Sequence, residues 1–332
     1  MTVTRRELGA LFIGALADSG CSRMRRETMP LRVGVAPKVT HAAVHLADEK
    51  GLFRGEGLEI RFSEFSGEIE TLPAIAGGKL DVALMGFSAG LANAVWQGAK
   101  MRIVAGRESL KPGCNDLGAL YYRRSRFPSG PEHGPDWKGA HIALPTSQNM
   151  SAFFLDSVLA FEGVPASSVQ ISRMPMEDAV AAAAGGHLDV FFGSGRPEFL
   201  SGGLPKDIGR SDLLMSALGE FQHTYVLFGS GLLEGDPATG IAFLRAYLRG
   251  VRRFVSGETP RYLTELAGRM HLNPEKVKAS CRNGVSTTGE VREGDIGKWL
   301  AWAVANQQVT RPVTVAQMLD LRFQRAAAAS IG

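Results

Sequence analysis

The chain has 332 residues, 45% hydrophobic and 21% charged, with 40 Gly and 16 Pro; at about 100–200 residues per domain this length suits two domains with a buried core and excludes a disordered chain, collagen or a small disulfide scaffold. Its 37 basic and 33 acidic residues give a net charge of +4. They are scattered, without the Lys/Arg stripe that phosphate-backbone contacts need, so nucleic acid is not expected as a partner.

At the N-terminus, Arg5 and Arg6 precede an apolar run from Leu8 to Ala17, and small residues follow at Ser19-Gly20-Cys21. This is the layout of an export signal over residues 1–20. The run is half the length of about 20 residues needed to cross a membrane as a helix, and no later segment is long enough. The segment resembles a bacterial lipoprotein signal with twin-arginine character, which implies acylation of Cys21. It departs from that pattern at Asp18, where such signals usually carry Leu. Removing residues 1–20 leaves the net charge at +4, and residues 21–30 read as a polar tether. Cys21, Cys114 and Cys281 have no CxxC spacing, so no zinc or redox motif is expected. Cys114 and Cys281 read first as two separate buried thiols, with a bond between them as the alternative in an oxidising compartment.

Folded structure is predicted from Leu31. A strand at Leu31–Ala36 leads to a helix over His41–Lys50, a Gly-punctuated turn, a strand at Leu58–Phe62, a helix over Glu68–Ala76 ended by Gly77-Gly78, and a strand at Leu80–Met85. This β-α-β-α-β order then recurs. Pro37 and Pro145, Gly55 and Gly163, Gly77-Gly78 and Gly185-Gly186, and Leu80-Asp81-Val82 and Leu188-Asp189-Val190 are each separated by 108 positions, the sign of duplicated architecture. Asp81 and Asp189, present in both copies, read as structural. After Gly195 the repeat fades into a strand at Tyr225–Phe228 and a helical last third, expected to cover the first lobe, with Trp299 and Trp302 as core residues.

Two such lobes imply mostly parallel sheets whose ligand lies beyond the carboxyl ends of the strands, at loops that start helices and favour an anionic or polar group. The candidate binding residues there are Lys38, His41, Ser66, Gly67, Gly86, Phe87 and Ser88 in the first lobe. In the second they are Thr146, Ser147, Asn149, Ser194 and Arg196. For His41 a local helix-start bond is the competing role; Thr146, Ser147 and Asn149 suit helix caps equally, and Arg196 suits either a ligand carboxylate, sulfonate or phosphate or the plain surface.

Gly86-Phe87-Ser88-Ala89-Gly90 follows a strand and opens a helix, the setting of a GxSxG nucleophile elbow. The duplicated strand-loop-helix instead explains the glycines as turn residues and Ser88 as a helix N-cap. Phosphate-loop, dinucleotide and HExxH patterns are missing. Neither a cofactor nor a metal is expected.

The run from Ala47 to Phe53 with Glu56-Gly57-Leu58, then Gly77 to Ala83, resembles the first lobe of solute-binding proteins that serve ABC importers for nitrate, sulfonates, taurine and thiamine-precursor pyrimidines. Trp137 to Ala143 and Gly186 to Val190 resemble the second lobe. The resemblance spans about residues 31–255. It implies a two-lobed α/β type II periplasmic-binding fold, hinged near Arg107–Leu117 and His223–Gly229, that closes over a small ligand and docks to a permease and its ATPase. Many relatives have an acidic residue before the second-lobe Pro, where this chain has Arg196, which tilts the expected ligand towards an anion such as a sulfonate, nitrate or carboxylate. His41 falls where pyrimidine-precursor binders and a related pyrimidine synthase carry a His, but the cysteine-rich motif of that synthase is missing. The expected division is 31–114 with 225–332 as lobe 1 and 115–224 as lobe 2, in a monomeric extracytoplasmic binding protein, without enzymatic activity, anchored by lipid at Cys21. The alternatives are a serine hydrolase using Ser88 and a cytosolic relative that makes a small metabolite.

Overall fold

A computed structural model describes residues 30–112, 119–145, 149–193 and 203–331. The export signal, Cys21, Cys114, Thr146, Ser147, Ser194 and Arg196 lie outside the described residues. Two five-stranded sheets form the frame. The strands in chain order are β1 (Leu31–Val35), β2 (Ile60–Glu64), β3 (Val82–Gly86), β4 (Arg102–Leu110), β5 (Leu120–Arg123), β6 (His141–Leu144), β7 (Gln170–Arg173), β8 (Val190–Phe192), β9 (Ile208–Ser211) and β10 (Phe221–Phe228).

The first sheet runs β2-β1-β3-β10-β4 and the second β7-β6-β8-β5-β9. In each, one strand opposes the rest: β10 is antiparallel to β3 and β4, and β5 to β8 and β9. The opposed strand always comes from beyond a crossing between lobes, so the chain passes from the first sheet after β4 and returns to it at β10. This is the α/β type II periplasmic-binding fold, with helices on both sides of each sheet.

The repeated sequence landmarks do the same physical work twice. Asp81 accepts from the Arg32 backbone N–H at 2.8 Å and from the Arg32 guanidinium, which ties the start of β1 to the turn before β3. Asp189 accepts from the His141 N–H at 2.9 Å and from Arg123, tying β6 to the turn before β8. Gly78 and Gly186 both sit at positive φ, 68° and 79°, where a side chain would be strained. Gly163, at φ 66°, has Gly57 as its counterpart and not Gly55. Each closes a helix by the same pair of backbone bonds, Gly57 N–H to Arg54 and Leu58 N–H to Phe53, Gly163 N–H to Ala160 and Val164 N–H to Leu159. Gly55 is the last residue of the short helix Leu52–Gly55.

The C-terminal helices complete the first lobe. Helix Pro237–Val255 lies on helix Ala42–Glu49 so closely that a Cβ on Gly250 would meet Ala47 Cβ at 2.6 Å. Trp299 is fully buried, its ring 4.7 Å from that of Phe87. The last third also reaches the second lobe, beyond the expected role of covering the first alone. Trp302, on helix Glu293–Ala305, donates its indole N–H to Asp156 at 2.8 Å, on helix Asn149–Phe161. Cys281 is disulfide-bonded and so is not a free thiol.

Candidate functional site

A cleft of about 460 Å³ opens where the loops after β1, β2 and β3 meet the start of helix Asn149–Phe161 and the first residues of β10. Six of the expected binding residues line it: Lys38, Ser66, Gly67, Gly86, Phe87 and Ser88. Asn149 is the first residue of helix Asn149–Phe161.

His41 lies one layer behind the cleft and is fully buried. Its Nδ1 accepts from the Ala36 N–H at 3.0 Å, so its proton sits on Nε2, which donates to Glu68 at 2.8 Å. Burial drives its pKa down to about 4 despite the Glu68 bond, so the ring is neutral at pH 7. Both nitrogens are occupied, and His41 is not among the residues that line the cleft.

Glu68 is the centre of the site that sequence reasoning missed. It lines the cleft, is nearly buried, and bonds Lys38 Nζ at 3.1 Å and Arg107 Nη1 at 3.4 Å besides His41. Burial alone would raise its pKa, but Lys38, the His41 bond and Arg107 outweigh it and hold the carboxyl well below the usual range. Arg107, on β4, also bonds Glu108 at 3.1 Å and the Thr40 carbonyl at 3.2 Å. Glu108 moves the other way: burial raises its pKa against the pull of Arg107. Two cations therefore face one firmly ionised carboxylate and one that holds its proton more tightly than an exposed Glu. Lys38 stands at the outer edge of the cluster, 23% exposed.

The rest of the wall is apolar. Ile69, Leu72 and Met85 come from the first lobe, Met150 and Phe154 from the second, and Met270 from the C-terminal third. Ser88 Oγ accepts from the Leu91 N–H at 3.2 Å as the N-cap of helix Ala89–Trp96. His223 and Thr224 of β10 form the hinge side; both are buried, and burial drives the His223 pKa down to about 4. Among the described residues no group of His, Cys, Asp and Glu could hold a metal ion, and no helix is long and apolar enough to cross a membrane.

Two lobes joined through crossing strands, with a cleft at the carboxyl ends of their parallel strands, define a type II periplasmic-binding protein in architecture. Similar solved structures share it. The periplasmic aliphatic sulphonate binding protein of Escherichia coli superposes with a TM-score of 0.70 at 19% identity, over 88% of this chain and 92% of that one. The zinc-bound ligand-binding component of an ABC-type import system from Staphylococcus aureus gives 0.67 at 11% identity, over 90% and 99%. The alkanesulfonate-binding protein of Xanthomonas axonopodis pv. citri, bound to MOPS, gives 0.58 at 18% identity, over 89% and 99%. A family model described as the NMT1-like family matches residues 25–198, more than half of the chain, and the chain belongs to that family. No curated protein matches it.

Proposed function

We propose that the protein is the extracytoplasmic solute-binding component of an ABC importer, and that it captures a small organic anion with an apolar body between its lobes and delivers it to a permease and its ATPase. The observation that carries this is the composition of the cleft: one edge holds Lys38 and Glu68, with the buried Arg107 bonded to Glu68 behind them and a helix N-terminus beside, while the remaining wall is Met, Phe, Leu and Ile. A head group with negative charge suits the first and a hydrocarbon or aromatic body the second. An inorganic anion such as nitrate would leave the apolar wall unmatched.

The disulfide at Cys281 supports export, because such bonds persist in oxidising compartments. The Arg5-Arg6 signal and Cys21 support a lipid anchor; the protein is taken to act as a monomer, with 31–114 and 225–332 as one lobe and 115–224 as the other. Thr146, Ser147, Asn149, Ser194 and Arg196 belong to this proposal as the second-lobe side of the ligand. Ser88, a helix cap, fits a binding role better than a nucleophile, and the protein does no chemistry on what it binds.

A thermal-shift panel of alkyl and aryl sulfonates, carboxylates, nitrate and pyrimidines tests the reading. An organic anion should raise Tm by mass action, by roughly 2.7 kcal/mol of added stability at a hundredfold excess over Kd. A shift with pyrimidines alone, or with no organic anion, overturns it.

A further inference from the structure

His223 stands out from every other polar residue of the cleft. Lys38 and Glu68 bond each other, Ser66 bonds Glu70, Ser88 accepts from Leu91, and Thr224 accepts from the Glu108 N–H at 3.0 Å. His223 Nε2 is buried and has no partner. Its other nitrogen, Nδ1, lies 3.4 Å from the Phe221 carbonyl, which can only accept, so Nδ1 carries the proton. The ring is neutral because burial disfavours its cation, which leaves Nε2 as a bare lone pair. The nearest ring, Phe154 at 6.0 Å, offers it nothing polar.

The backbone singles out the same residue. In the pairing of β10 with β4, Gln222 faces Ser109 and Thr224 faces Glu108, so His223 is the extra residue of a bulge. A bulge re-aims a side chain, and such features collect beside functional sites. The His223 carbonyl also accepts from the Phe87 N–H at 3.0 Å, which fixes the bulge to the loop that lines the cleft.

A buried acceptor left without a partner keeps its full desolvation penalty, and native structures keep few of them. We infer that His223 Nε2 is an acceptor reserved for the ligand, so that the captured anion carries a hydrogen-bond donor, a hydroxyl or amino group, on the part of its body that reaches the hinge. This rests on the organic-anion reading above and narrows it. The anionic head meets the Lys38 edge, and the donor meets the hinge.

Two measurements on the full mature chain test it. Long-range ¹H–¹⁵N spectra of ¹⁵N-histidine-labelled protein at pH 7, assigned with His223→Phe, should show the Nδ1–H form with an unprotonated Nε2; an Nε2–H ring overturns the inference without any ligand. Calorimetry then compares benzenesulfonate with its 2-, 3- and 4-amino and hydroxy derivatives. At least one donor-bearing isomer should bind roughly fivefold tighter than benzenesulfonate, the worth of one neutral hydrogen bond, and His223→Phe should bring the ratio of the two affinities to about one. Equal binding of all probes, or an advantage that survives in the variant, overturns the donor assignment alone. No binding by any organic anion overturns the functional reading, and this one with it.

Discussion

The two lobes share a scaffold and differ in what they bring to the cleft. Each has the same three parallel strands, the same aspartate tying one strand to the next, and the same glycine at positive φ before the third strand. Yet the first lobe lines the cleft with Lys38 and Glu68, backed by Arg107 and Glu108 inside β4, whereas among the described residues the second supplies Met150 and Phe154. The position 108 after Glu68 is Met176, a partly buried apolar residue. Duplication preserved what makes a lobe fold, and the loops that make a site diverged, because a fold does not dictate the chemistry grafted on it.

The sharpest way to break this comparison is to exchange charge for nothing at the matched positions. Glu68→Ala strands the buried Arg107 and Lys38 and should cost about 3–5 kcal/mol in urea unfolding, while Met176→Ala should cost less than about 1.5 kcal/mol. Equal losses would mean that the first-lobe cluster is no more than packing.

Acid should next act through the buried histidines packed around the first sheet. Burial lowers the pKa of His41 and His223 to about 4 and that of His45, stacked on Tyr262, to about 3. All three lie below the unfolded value of 6.5, so the unfolded chain takes up protons first. Their contribution is complete above pH 6.5 and is lost as pH falls towards 4, at roughly 1.4 kcal/mol per pH unit for each ring. Protonation of Glu68 adds to the loss at still lower pH, and the raised pKa of Glu108 works in the opposite sense. Unfolding measured between pH 7.5 and 5 should therefore flatten in His45→Phe.

Smaller effects probe what the lobes share. Asp81→Ala and Asp189→Ala should each cost about 2 kcal/mol, since each removes an acceptor from a strand-starting N–H and from an arginine; losses that differ by more than about twofold would break the equivalence. Ser88→Ala should cost only about 1 kcal/mol, the worth of its cap, and a fluorophosphonate should not label the wild-type protein. Stoichiometric labelling of Ser88 would overturn the binding role.

The scaffold was legible in the sequence because its signals are local. Alternating Val33 and Val35, the glycines after each helix and the recurring Leu-Asp-Val report backbone geometry within a few residues, and the 108-residue spacing joined them. The register slipped at Gly55, since a glycine's φ is not written in its neighbours. The strand-end rule also pointed to the loops carrying Lys38, Ser66 and Ser88, which line the cleft. It could not rank the residues within them. His41 pointed to the ligand by position, but the Ala36 N–H captures its ring, and Glu68 became the centre through Arg107, 39 positions away. Phe154 and His223 have no local marker either: one is reached by the packing of the lobes, the other by a bulge that exists only once β10 pairs with β4.

The placement of β10 has a consequence for the order in which the molecule can be made. It lies between β3 and β4 in the first sheet, yet it follows the whole of the second lobe in the chain. A ribosome delivers β1 to β4 first, but that sheet has a vacant slot until more than a hundred further residues have emerged. The second lobe, contiguous from β5 to β9, can assemble meanwhile, and closure of the first waits on a long loop. The lobe that begins the chain is thus the last to be completed, and the hinge side of the cleft forms in that final step.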